Sequence, residues 1–210
     1  MDFSECARFG NRAIMGSSHA VRFGKIHGRG GVNRGNRVVG LAVSGQTLEG
    51  LRRDLRNLPR QNCGALVFIG ANDVLAMTTA VMNRRISVDQ ARDTLRAQTK
   101  NLLKQLRRVF PEIVFCETIS CRWKHPNWRT RDGTLSWFEV SQWLENTVSR
   151  VPQRESERSG RIFHFVRLNS FLTRFHYEPF MGHGARRRRD FIHLNEKGYN
   201  AVARCLAHTH

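Results

Sequence analysis

The segment "GALVFIGANDV" (residues 64–74) decides the fold, because it joins a short, wholly apolar run to a polar turn. Residues 64–70 carry no polar side chain, which is typical of a strand buried on both faces of a sheet. Four further runs rich in Val, Ile or Phe predict four more strands of this kind, at residues 12–16, 37–43, 112–119 and 161–166.

Amphipathic segments separate most of these runs. Residues 47–58 place leucines at helical spacing, and residues 87–110 do so over a longer span that begins with a capping box of Ser87 and Gln90. Two further helices are predicted at residues 137–148 and 196–207. Strands that alternate with helices predict a parallel α/β sheet with right-handed crossovers.

The charge of the chain is strongly basic. It contains 35 Lys and Arg residues against 17 Asp and Glu residues, a net charge of +18. Solubility does not require such an excess, which indicates a polyanionic partner or an anionic surface, with RNA, DNA or another polyanion as candidates. Two basic segments, residues 24–37 and 169–189, are predicted to be flexible loops. The residues predicted to bind an anion or nucleic acid are Arg29, Arg34, Arg37, Arg186, Arg187, Arg188 and Arg189.

The length fits one domain, predicted to span residues 1–210. No apolar run approaches the roughly 20 residues of a membrane span, so we expect no transmembrane segment and an intracellular protein, cytoplasmic or nuclear. Five irregularly spaced cysteines agree with a reducing compartment. Cys116, Cys121 and His125 lack a fourth ligand nearby, so Cys116 is interpreted as a buried strand cysteine and no metal is expected. The oligomeric state stays open.

Polar residues stand where the predicted strands end, and ligands bind at this carboxyl edge in open parallel sheets. The residues at the strand ends are Ser17, Ser18 and His19 after the first strand, Gly45 after the second, and Asn72 and Asp73 after the third. Asp190 and His193 stand near the C-terminus. Together they include the groups that acyl transfer needs, which are a serine, N–H donors for an oxyanion, and a histidine with an aspartate partner.

The spacing of Asp190 and His193 suits an acid–base pair. In one helical turn or a tight loop they share a face, so the carboxylate can hold the imidazole Nδ1–H while Nε2 faces a serine. The preceding arginines favour the ionised form of Asp190. Each group also has a structural alternative: Ser18 can cap a helix, Asn72 can make a turn, and Gly45 can permit a sharp bend.

Four blocks in order, "IMGSSHA", "VSGQT", "IGANDV" and "DFIHLNEKGY", resemble the SGNH hydrolases, also called GDSL-type esterases and lipases. The resemblance implies a flavodoxin-like three-layer α/β/α sandwich with a five-stranded parallel sheet and no cofactor. A basic, animal or retroelement-associated branch of the family would account for the charge. The implied site has Ser18 as nucleophile, Ser18, Gly45 and Asn72 as oxyanion donors, His193 as general base, and Asp190 as its partner.

One position departs from the family pattern. Ser17 stands where these hydrolases usually carry Asp, so Ser17 is the alternative nucleophile. The "G-x-S-x-A" pattern that contains Ser18 also approaches the nucleophile elbow of α/β-hydrolases, but there the serine follows several strands and here it follows the first. His19 is interpreted as structural or substrate-facing.

Two functions are consistent with these observations. The first is a serine esterase that hydrolyses a small carboxylic ester through an acyl-enzyme. The alternative is a catalytically idle SGNH-like domain that binds RNA or DNA through its basic surface. The joint presence of serine, asparagine, aspartate and histidine favours the hydrolase, and nucleic-acid binding is compatible with it.

Overall fold

The sheet organises the molecule. The computed structural model describes residues 6–30, 37–38, 40–119, 136–160, 162–176 and 193–208. Within them the strands are β1 (Arg8–Phe9), β2 (Arg12–Gly16), β3 (Arg37–Val38), β4 (Leu41–Val43), β5 (Gly64–Phe68), β6 (Ile113–Cys116) and β7 (Phe163–Val166). The strand order in the sheet is β3-β4-β2-β5-β6-β7, with β1 paired to β2.

The prediction of an α/β fold is confirmed. Each of the five apolar runs contributes a strand to the parallel stretch β4-β2-β5-β6-β7. The sheet is nonetheless mixed, because β3 and β1 pair antiparallel with β4 and β2. The run at residues 37–43 splits in two at Gly40, whose φ of 117° lies in the region that favours glycine. Arg37 therefore belongs to an antiparallel edge strand.

Helices cover both faces of the sheet. Alternate strand residues point to opposite sides, so Met15 and Val67 join one core while Ile14 and Leu66 join the other. The helices are α1 (Ser18–His27), α2 (Leu48–Leu55), α3 (Ala71–Met82), α4 (Val88–Val109), α5 (Trp137–Ser159) and α6 (Glu196–Ala207). Helices α2 to α5 pack on the first core, and α1 and α6 on the second.

The helix boundaries test the sequence predictions in detail. The capping box of Ser87 and Gln90 at the start of α4 is confirmed. Helix α5 runs to Ser159, beyond the predicted end at residue 148. The prediction of a loop over residues 24–37 is wrong at its start, because α1 continues to His27. In the second predicted loop, Arg174–His176 forms a 3₁₀ turn and residues 177–189 lie outside the described part of the chain.

The candidate metal ligands and the helices can be compared with the metal and membrane expectations within the described residues. Cys116 lies buried in β6, as predicted, whereas Cys121 and His125 lie outside the described residues. Across the described ranges, no three metal-ligating side chains come together. None of the helices in those ranges is both long and apolar enough to cross a bilayer.

Candidate active site

Ser18 occupies a tight turn between β2 and α1. The turn needs glycine at Gly16, which has a φ of 123° and where an added Cβ would lie 1.9 Å from the carbonyl oxygen of Phe68. The backbone can therefore pass directly against the end of β5. Ser18 follows as the first residue of α1, at a half-buried position where the helix N-terminus favours negative charge.

Ser17, the alternative nucleophile, is anchored in the protein. Its side chain is buried, and its backbone N–H donates to the carbonyl oxygen of Phe68 at 2.8 Å. The Ser17 hydroxyl faces the same carbonyl oxygen at 3.4 Å. The two adjacent serines therefore differ: the hydroxyl of Ser17 points into the sheet, and that of Ser18 points into the site.

His193 meets Ser18 from the far end of the chain. Its Nε2 lies 3.0 Å from the Ser18 Oγ, although 175 positions separate the two residues. The segment before α6 holds His193 in place, since Leu194 is buried and Asn195 caps α6 by accepting a hydrogen bond from the Gly198 N–H at 3.0 Å. Asp190, the predicted partner of His193, lies outside the described residues.

His19 is part of this neighbourhood. It is buried, and its Nδ1 lies 3.0 Å from the hydroxyl of Tyr199, which is buried on α6. The ring centroids of His19 and His193 are 5.6 Å apart. Burial favours the structural interpretation of His19 over the substrate-facing one. No sequence pattern indicated a role for Tyr199, because its pairing with His19 requires α1 and α6 to be neighbours.

The two other predicted oxyanion donors are joined through one turn. Gly45, with a φ of 83°, lies exposed in the turn after β4. Asn72, in the first turn of α3, donates from its Nδ2 to the backbone carbonyl of Gln46 at 2.9 Å. A carboxamide carries two N–H donors, so this bond orients the Asn72 side chain and leaves its second N–H for another acceptor.

Asp73 anchors the start of α2, which follows the turn that contains Gly45. Both of its carboxylate oxygens accept from the backbone N–H of Leu48 at 3.1 Å, at the start of α2. Burial raises the pKa of Asp73 to about 6, and the hydrogen bond from Leu48 opposes this shift. The Asn72 and Asp73 pair thus ties α3 to the turn that contains Gly45.

Of the residues predicted to bind an anion, the structure describes Arg29 and the backbone of Arg37. Arg29 is exposed just after α1, and its backbone exchanges hydrogen bonds of 2.8 and 2.9 Å with Arg8. Of Arg37, the structure describes the backbone in β3. The remaining predicted residues lie outside the described part of the chain: Arg34, Arg186, Arg187, Arg188 and Arg189.

These features define an α/β/α protein with a serine–histidine pair at the carboxyl edge of its sheet. The sequence model of the GDSL-like Lipase/Acylhydrolase family matches residues 6–206, and the chain belongs to that family. Among curated proteins, no significant match to the chain was found.

Solved structures show the same fold at low sequence identity. Phospholipase A1 from Streptomyces albidoflavus NA297 superposes with a TM-score of 0.53 at 13% identity, covering 80% of this chain and 78% of that one. The extracellular lipase of Streptomyces rimosus gives a TM-score of 0.53 at 15% identity, with 80% and 79% covered. An α/β hydrolase from the metagenome of Lake Arreo gives 0.50 at 15% identity, with 82% and 72% covered.

Proposed function

We propose that the protein is a serine esterase that hydrolyses carboxylic esters through an acyl-enzyme on Ser18. The observation that carries this proposal is the 3.0 Å separation of the Ser18 Oγ from the His193 Nε2. That distance is within hydrogen-bond reach, as a nucleophile and its general base require. Membership of the GDSL-like family supports the same chemistry.

The proposed reaction has two halves. In the first, His193 takes the Ser18 proton as Oγ attacks the ester carbonyl carbon, and the protonated imidazole then gives that proton to the departing alcohol. In the second, His193 deprotonates a water that attacks the acyl-enzyme, and the proton returns to Ser18 as the carboxylic acid leaves. Asp190 would hold the Nδ1–H of His193 throughout. The cycle uses no metal or organic cofactor.

The negative charge of each tetrahedral intermediate needs donors placed in advance. We assign this role to the backbone N–H groups of Ser18 and Gly45 and to the second N–H of the Asn72 carboxamide. Its hydrogen bond to Gln46 supports this assignment, because a donor held before reaction needs no reorganisation as charge develops. The N-terminus of α1 adds a favourable dipole.

Ser17 is the less suitable nucleophile. Its hydroxyl is buried and faces the Phe68 carbonyl, whereas the Ser18 hydroxyl is half-exposed and faces an imidazole. Nucleophilic attack requires both access to the ester and a base for the proton. Ser17 therefore serves the turn, in the place where the family usually has Asp.

The substrate class, the branch of the family and the location of the protein are further parts of the proposal. A small carboxylic ester is the proposed substrate class. The +18 charge is the observation behind two further proposals: placement in a basic, animal or retroelement-associated branch, and steering of anionic molecules to the protein. An intracellular location, cytoplasmic or nuclear, stays a prediction.

Hydrolysis of p-nitrophenyl acetate, butyrate and octanoate tests the proposal. We expect turnover by the wild type and by Ser17→Ala, and a loss of about a thousandfold or more in Ser18→Ala and His193→Ala. Ser17→Ala is the matched control, because it removes a hydroxyl from the adjacent residue of the same turn. Circular dichroism establishes that all four proteins are folded.

A fluorophosphonate probe gives a second readout that does not depend on the natural acyl group. We expect the probe to add one phosphonyl group to the wild type and to Ser17→Ala, but not to Ser18→Ala, by intact mass. Labelling that follows Ser17 would overturn the assignment of the nucleophile. The absence of turnover and labelling in folded wild-type protein would favour the idle, nucleic-acid-binding alternative.

A further inference from the structure

A basic groove lies between α4 and α5, on the face of the sheet opposite α1 and α6. Its cavity volume is about 440 Å³. One wall is a row on α4, namely Arg92, Arg96, Lys100, Lys104 and Arg107, and the other is a row on α5, namely Arg150, Arg154 and Arg158. We call this feature the α4–α5 groove. None of these eight residues belongs to the Ser18 site or to the set of arginines predicted above to bind an anion.

The two rows follow from helix geometry. Residues four positions apart lie on one side of a helix, so Arg96, Lys100 and Lys104 line up along α4, and the arginines of α5 repeat that spacing. Both helices lead into neighbouring parallel strands, β6 and β7, so they run side by side in the same direction. The positive rows therefore face each other along their length.

The charge of the groove is far from balanced. Its lining contains eight cationic side chains against one carboxylate, that of Glu155, which pairs with Arg107 at 2.5 Å. Arg92 pairs with Asp89, and Arg96 pairs with Asp93. Exposed ion pairs of this kind contribute little to stability, so an anionic ligand can compete with the two carboxylates for these arginines.

The other five cations make no ion pair with a carboxylate within the described ranges. They are Lys100, Lys104, Arg150, Arg154 and Arg158. Rows of like charge without such partners disfavour the free protein and favour an anionic ligand that brings several charges at once.

An aromatic side chain stands at one end of the groove. Trp143 is 45% exposed, although a tryptophan in a folded protein usually buries most of its ring. It lines a cavity that continues the groove, together with Asn146, Arg92 and Arg150. The same cavity is lined by Asp89, the ion-pair partner of Arg92. An exposed indole in a cavity that also contains two arginines offers a surface on which a base can stack.

The dimensions fit a short length of one strand. From Arg92 to Arg107 the groove extends about 22 Å at the rise of an α-helix. This length corresponds to about six phosphates at the roughly 3.4 Å spacing along one strand of a duplex, and to fewer in an extended single strand. The lining also includes three uncharged side chains, those of Leu103, Thr147 and Val151.

We propose that the α4–α5 groove binds single-stranded nucleic acid, with phosphates between the two basic rows and a base stacked on Trp143. Phosphate charge explains the rows, and a base explains the exposed indole. RNA and DNA share this chemistry. The proposal does not depend on ester hydrolysis, since none of these residues belongs to the Ser18 site.

Fluorescence anisotropy with the full chain tests the proposal. The probes are labelled oligouridylate and oligothymidylate of about 12 nucleotides, titrated from about 50 to about 200 mM NaCl. We expect salt-sensitive binding that weakens about tenfold or more in Lys100→Glu/Arg154→Glu, with a shallower salt dependence because fewer counterions are released. Trp143→Ala should weaken binding about fivefold or more through lost stacking.

The matched control is Arg53→Glu/Arg60→Glu, which makes the same change in net charge at exposed positions away from the groove. It should retain affinity within about twofold if the groove, and not overall charge, is responsible. Tighter binding of the RNA probe would support contacts to the 2′-hydroxyl, and equal binding would support phosphate and base contacts alone.

Three results would overturn the proposal. One is the absence of binding to either oligonucleotide at the lowest salt by folded protein. Another is equal loss of affinity in the groove and control variants. The third is binding to vesicles of phosphatidylserine and phosphatidylcholine without binding to either oligonucleotide. Each variant is also assayed on p-nitrophenyl acetate, and unchanged turnover would show that its folded site is intact whatever the binding result.

Discussion

The Nδ1 of His19 and the hydroxyl of Tyr199 lie 3.0 Å apart inside the protein, joining α1 to α6. Both side chains are buried, and the His19 ring lies 5.6 Å from that of His193. The helix that begins at the proposed nucleophile and the helix that follows the proposed base are therefore held together directly beside the two reacting groups.

Replacing Tyr199 by Phe should destabilise the protein. The change removes the hydroxyl and leaves a buried imidazole nitrogen without that partner, so we expect a loss of about 1–3 kcal/mol in the free energy of unfolding. Urea unfolding monitored by circular dichroism measures it, and the midpoint should fall with an unchanged slope. Thr79→Val, which removes an exposed hydroxyl bonded to the Leu75 carbonyl, should change stability much less. Equal midpoints for the wild type and Tyr199→Phe would contradict the role given to this bond.

The turn before Ser18 should not tolerate a side chain at Gly16. Alanine there would place its Cβ 1.9 Å from the Phe68 carbonyl oxygen at a φ of 123°, so the strand ends must separate. We expect a loss of more than about 3 kcal/mol in the free energy of unfolding, or failure to fold.

Gly45→Ala is the matched control for Gly16→Ala. Its φ is also positive, at 83°, but an added Cβ has no atom within 4 Å. Only backbone strain remains, so the loss should be about 1–2 kcal/mol. Thermal unfolding of both variants measures the difference, and a similar effect at the two glycines would refute the steric explanation.

The buried carboxyl of Asp73 should make stability depend on pH. Burial raises its pKa from 3.8 to about 6, so the folded protein holds the proton more tightly than the unfolded chain does. The contribution of Asp73 is therefore fully present below about pH 4 and is lost as the pH rises through about 6. The loss amounts to at most about 3 kcal/mol.

Asp73→Asn removes this titration. Relative to the wild type, the variant should gain up to about 3 kcal/mol of stability between pH 4 and pH 7. Urea midpoints at several pH values measure the gain. Asp93→Asn, which removes a carboxyl whose side chain is 74% exposed on α4, is the comparison variant without burial. A constant difference between Asp73→Asn and the wild type would show that burial does not raise the pKa of Asp73.

The sequence predicted those parts of the fold that repeat a pattern. The five parallel strands could be found because each is a short apolar run, and α4 because Ser87 and Gln90 mark its start. Helix α3 had no such signal, since "ANDVLAMTTAVM" is apolar on most of its surface and lacks a polar stripe. Strand β1 has only two residues, too few for a period.

The candidate site was predictable by residue type and order but not by distance. Ser18 and His193 could be selected because each lies within a family-like block, yet their 3.0 Å contact depends on how α6 docks beside α1. The α4–α5 groove was not found, because the basic spacing on each helix is visible in the sequence while the pairing of the helices is not. Contacts between distant segments are therefore what the structure adds.

Asn72 provides the sharpest test of the proposed oxyanion hole. Its carboxamide is held by the Gln46 carbonyl at 2.9 Å, and its second N–H is the donor that we assign to the oxyanion. Asn72→Ala should lower kcat for p-nitrophenyl esters about 100-fold to 1000-fold with a smaller change in KM, because the donor acts mainly in the transition state. Gln46→Ala is the matched control: it keeps the backbone carbonyl that orients Asn72, so kcat should stay within about threefold of the wild type. An unchanged kcat in folded Asn72→Ala would exclude this side chain from the oxyanion hole. A rise in KM alone would instead assign it to substrate binding, because uniform binding affects ground and transition states equally.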